Sequence, residues 1–72
     1  MEHRVLLQRV TREWEQRARI HREAARYWEF TKLGAKDEEE VKRATERYNF
    51  EMKQALEAHN KLVMCLGLKS AL

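Results

Sequence analysis

Thr31-Lys32-Leu33-Gly34-Ala35-Lys36-Asp37-Glu38-Glu39-Glu40-Val41 is the stretch on which the fold turns. Gly34 can take the positive φ that commonly closes a helix, and Asp37 three residues on can accept the first free N–H groups of a new one. Glu40 completes a capping-box spacing with Asp37, while Glu38 and Glu39 oppose the positive end of the second helix dipole. The run is therefore a stop, a turn and a start. Its acids read as a cap and not as a calcium loop, which would spread its ligands around a glycine-bearing turn.

Outward from this turn the sequence predicts one all-α unit over residues 1–72, with a helix over about 2–33, a turn at 34–37, a helix over about 38–66 and a short apolar tail at 67–72. The first helix offers Leu7, Val10, Trp14, Arg17, His21, Ala24, Trp28 and Thr31 at steps of three and four; the second offers Val41, Thr45, Tyr48, Met52, Ala55, His59, Leu62 and Leu66. Folding back about Gly34 brings Trp14 near Ala55 and Trp28 near Val41, a large residue against a small one in each layer. A lone hairpin of 72 residues is close to break-even between apolar burial and chain ordering. Pairing into a homodimeric four-helix bundle is the expected remedy, because Ile20, Tyr27, Phe30 and Phe50 lie off the seams.

Charge gives the functional clue. Seven arginines fall between Arg4 and Arg26, and five of them, Arg4, Arg12, Arg19, Arg22 and Arg26, share one side of the helix opposite its apolar side. At 1.5 Å per residue the line is ~33 Å long, about one turn of a nucleic-acid duplex. Only Gln8 and Glu15 interrupt it, and Lys32 comes only at the helix end. Arginine suits phosphate through its fixed donor fork, so the line predicts contact with duplex backbone, RNA preferred over DNA. A solvated helix face is the plainer reading of the same residues. Arg43, Arg47 and Lys61 form a second basic line, diluted by Glu46, Glu51 and Glu57.

The segment Arg12-Glu13-Trp14-Glu15-Gln16-Arg17-Ala18-Arg19-Ile20-His21 resembles, in composition, arginine-rich RNA-binding helices. Small dimeric helical RNA binders, viral suppressors of RNA silencing among them, share this scale. The resemblance covers ten residues and carries no residue-by-residue assignment.

Other residues point elsewhere. Tyr27, Phe30 and Phe50 form a candidate surface for docking a protein partner, the competing function. Arg17 within the apolar stripe calls for a snorkelling stem or a glutamate across the bundle. His21 and His59 read as core histidines, out of register with each other in the fold-back. With one cysteine, Cys65, no paired Cys/His spacing, one serine at Ser70 and glycines 33 positions apart, the sequence suggests no metal, cofactor, phosphate loop or catalytic residue. The expectation is a non-enzymatic binding protein. No stretch approaches the ~20 apolar residues of a membrane span, the start does not read as a secretory signal, and an intracellular location, cytoplasmic or nuclear, is expected.

Overall fold

The computed structural model describes residues 2–71, together with their side chains except at 2, 69 and 71. Two helices, α1 (Glu2–Leu33) and α2 (Glu38–Ala71), pack against each other as an antiparallel hairpin. The result is a rod measuring 56 × 13 × 12 Å between Cα extremes. The second helix runs on through the segment where the sequence suggested a tail from 67; Leu72 lies outside the described residues. Nothing in 67–71 breaks a helix, since Gly67 alone costs only about 1 kcal/mol against alanine.

The turn follows its chemistry with one correction. Glu40 donates its backbone N–H to Asp37 Oδ1 at 2.8 Å, and Glu40 Oε2 accepts the N–H of Lys36 at 3.0 Å. Asp37 thus caps α2, as its spacing predicts. Gly34, however, does not use a positive φ; among the described residues none does. Its N–H instead continues the helical pattern to Phe30 O at 3.1 Å, and Ala35 N–H tightens to Lys32 O at 3.2 Å, so α1 ends by narrowing its last turn.

The seam itself differs from the expected one by a residue at alternate positions. Thr11, Ala18 and Ala25 are buried on α1, and Ala44, Ala55, Ala58 and Cys65 on α2. Arg17, Thr31, Met52, His59 and Leu66, all expected on the seams, are exposed, and Ala24 is half-buried. The reason is steric. Two helices alone share a narrow contact line, and small side chains along it allow the closest backbone approach, leaving larger ones to lean over from the flanks. Thr11 fits this line because its hydroxyl donates to Leu7 O at 2.7 Å within its own helix.

Register is fixed by His21 and Glu51, whose Nδ1 and Oε2 lie 2.6 Å apart. Each residue gained along α1 from that level is one lost along α2. Trp14 is accordingly level with Ala58, with which it lines one cleft, and Trp28 with Ala44. Trp14 meets an alanine as expected, one layer further along than Ala55, while Trp28 comes level with Ala44 where the spacing predicts Val41. Ala25 likewise lies level with Tyr48, and Thr11 with Leu62, to within one residue. Large faces small with the sides exchanged between layers.

Two substitutions check this account. A Cβ added at Gly34 would meet Phe30 O at 3.7 Å and Thr31 O at 3.9 Å, ordinary contact distances, and φ is not positive there. Gly34→Ala is expected to stabilise by about 0.4–1 kcal/mol through the unfolded chain, raising a thermal midpoint by a few degrees; a lower midpoint would restore the left-handed closure. Ala44, 1% exposed, has no room to grow. Ala44→Leu is expected to cost roughly 1–3 kcal/mol by overpacking, and a circular-dichroism melt that matches the parent would place the seam elsewhere.

Candidate nucleic-acid interface

The helical period divides the hairpin's surface into two broad faces on either side of the seam. One carries the cleft lined by Trp14, Arg17, His21, Gln54, Glu57 and Ala58. Arg17 Cζ stands 4.8 Å from the Trp14 ring centroid, and Arg47 Cζ 6.0 Å from that of Trp28. Each cation lies over an aromatic face, which resolves the oddity of Arg17 in an apolar stripe without a glutamate partner. We call this the tryptophan face.

The opposite face receives the arginine line from α1. Arg4, Arg12, Arg19, Arg22 and Arg26 are all exposed. Their wheel positions fall within about 80° of arc at 100° per residue. Arg22 is the best anchored, its Nε donating to Ala18 O at 3.3 Å. Among the described residues the one contact within 4.0 Å between a basic side chain and a carboxylate is His21 with Glu51, so no carboxylate there claims a guanidinium of the line. Glu15 stands inside the line, exposed like its neighbours. Chemically, this edge is a row of donor forks on one rigid helix.

Beside the arginines on the same face runs a row from α2, part of which the seam spacing predicts in the core. Met52, Leu56, Val63 and Leu66 are exposed, with His59 among them. The signal was present in the sequence as a second apolar stripe one residue out of phase with the first, but period alone does not say which stripe α1 would cover.

Tyr27, Phe30 and Phe50 are exposed as well, Phe30 most of all at 74%. They do not assemble into one cluster. Tyr27 packs edge-on against Trp28, its chain neighbour, at 5.1 Å and 82°, and Phe50 sits roughly 18 Å along α2 from the turn. His21 is satisfied by Glu51, and His59 lies two turns away along α2, so the two histidines remain apart. Among the described residues no three His, Cys, Asp or Glu side chains gather as metal ligands, and no helix is long and apolar enough to cross a membrane. Cys65 is a buried free thiol.

No protein-family model matches the chain, and neither curated proteins nor solved structures give a match.

The His21–Glu51 contact lends itself to a double substitution. His21→Leu alone leaves Glu51 half-buried without its partner and is expected to destabilise by about 1–3 kcal/mol. His21→Leu combined with Glu51→Leu is expected to recover or exceed the parent's stability, since removing both polar groups leaves none unpaired. Additive losses in chemical denaturation would contradict the pairing.

Proposed function

We propose that this protein is a homodimeric, non-enzymatic binding protein that grips the phosphate backbone of a nucleic-acid duplex, RNA in preference to DNA, through the arginine line of α1. The observation that carries the reading is five exposed guanidiniums along one face of one helix with no described carboxylate bonded to them. Arg4 to Arg26 spans ~33 Å, close to one duplex turn, so several phosphates of a single turn lie within reach of a rigid edge. A row of this kind positions a duplex by shape and charge and reads no bases. A cytoplasmic or nuclear location belongs to the same proposal.

A second reading has its own support. Tyr27, Phe30 and Phe50 each expose a ring that the hairpin leaves uncovered, the composition of a protein-docking surface in which the arginines serve solubility. Salt separates the two, because phosphate binding collapses as ionic strength rises and an aromatic contact persists.

Replacing Arg12, Arg19, Arg22 and Arg26 by glutamine is expected to preserve helicity while weakening duplex binding equally across sequences. Each lost phosphate contact removes about 0.9 from the slope of log affinity against log salt, so the slope should fall by roughly three to four. Fluorescence anisotropy with duplex RNA, duplex DNA and single strands at several salt concentrations measures this. An unchanged slope, or no duplex binding by the parent at ~50 mM salt, would favour the docking reading.

A further inference from the structure

We propose that the arginine face lies on anionic phospholipid bilayers, with its arginines at the headgroup phosphates and the row Met52, Leu56, His59, Val63 and Leu66 against the hydrocarbon beneath them. The duplex reading is not needed for this: the arginines are common to both, and only a bilayer uses the row.

The row is what phosphate binding leaves unexplained. Leu56 and Val63 are 59% and 53% exposed, with Met52 and Leu66 open beside them. From Thr45 to Ser70 the two α2 columns on this face, at 45, 52, 59 and 66 and at 49, 56, 63 and 70, hold no acid, lysine or arginine. A solvated helix face ordinarily carries charge there. A duplex backbone of phosphate and sugar gives such side chains nothing apolar to bury against.

The cationic and uncharged lanes run side by side. The row is ~21 Å long at 1.5 Å per residue. Counted from the His21–Glu51 level, Arg19 comes beside Met52, Arg12 between His59 and Val63, and Arg4 just past Leu66. Arg22 and Arg26 continue the cationic lane toward the turn. Val5 and Leu33, both exposed, stand at the two ends of the column that holds Arg12, Arg19 and Arg26, so this lane is bounded by apolar side chains as well.

Charge complementarity and shape commit the face to a lipid surface. On its α1 side five arginines outnumber the acids Glu15 and Glu29, which calls for an anionic partner. The lane beside them requires the same partner to be apolar within a side chain's length of its anions. A leaflet has that order, phosphate over hydrocarbon, and an arginine stem lies along apolar surface while its head stays among phosphates. The arginines are unevenly spaced, by eight, seven, three and four residues. Headgroups form a continuous field that meets any spacing, whereas a folded protein would have to match this one. The thin rod, 56 Å long, lets both lanes touch one plane. Among the described residues no helix is long and apolar enough to cross a membrane, so the hairpin lies on the bilayer without spanning it.

Co-sedimentation with large unilamellar vesicles tests the face, phosphatidylcholine alone against a mixture with about one part in three of phosphatidylserine. The parent is expected to bind the mixture at least about 10-fold more tightly. Leu56→Gln with Val63→Gln should weaken vesicle binding by at least about 10-fold and leave duplex RNA affinity unchanged. Glutamine at Arg12, Arg19, Arg22 and Arg26 should weaken it by about 5-fold per arginine. Should the leucine and valine substitutions disturb folding, an environment-sensitive fluorophore supplies a second measurement in a Cys65→Ala background. Attached at His59→Cys it should shift to the blue on anionic vesicles; attached at Phe50→Cys, one heptad from Glu57 on the tryptophan face, it should not. Equal binding to both vesicles, binding untouched by Leu56→Gln with Val63→Gln, or a shift at Phe50→Cys in place of His59→Cys would overturn the proposal. So would a lipid-free dimer that the same two substitutions dissociate in sedimentation equilibrium, since the row would then belong to a second copy. Duplex binding without vesicle binding overturns the bilayer assignment alone, and vesicle binding without duplex binding supports it and overturns the duplex reading.

Discussion

Close approach of two helix backbones through alanine sets the terms for everything else in this molecule. Ala18, Ala25, Ala44, Ala55 and Ala58, with Thr11 and Cys65, occupy the contact line and are the residues it buries. Alanine there combines the best helix propensity with the smallest side chain, so long helices and a tight seam come from the same choice. The consequence is a slender rod whose tryptophans, leucines and phenylalanines cannot all find cover. Trp14 and Trp28 manage partly by leaning over alanine from the flank, and arginines lie across their rings. The rest of the large apolar surface is left to water or to another chain.

Among the described residues one polar side-chain contact crosses the seam, and it complements this arrangement. A seam of alanines alone specifies register weakly, because sliding one helix by a layer exchanges similar contacts. His21 and Glu51 break that degeneracy, since any other register leaves a half-buried carboxylate without its partner. The pair thereby selects which tryptophan meets which alanine, and through them which large residues remain outside.

Much of this was legible in the sequence. Asp37 with Glu40 marked the start of α2, Gly34 marked the end of α1, and steps of three and four foretold two helices folded back on each other. The exposure of the arginine line followed from the same wheel. Seam position was harder to read. In α2, Glu51, Ala58 and Cys65 stand immediately before Met52, His59 and Leu66, and a heptad count accepts either set. Hydrophobicity favoured the larger residues, whereas the two-helix geometry favoured the smaller ones. Gly34 misled for a related reason: its capacity for positive φ is a freedom, and here the tightened last turn of α1 does not draw on it.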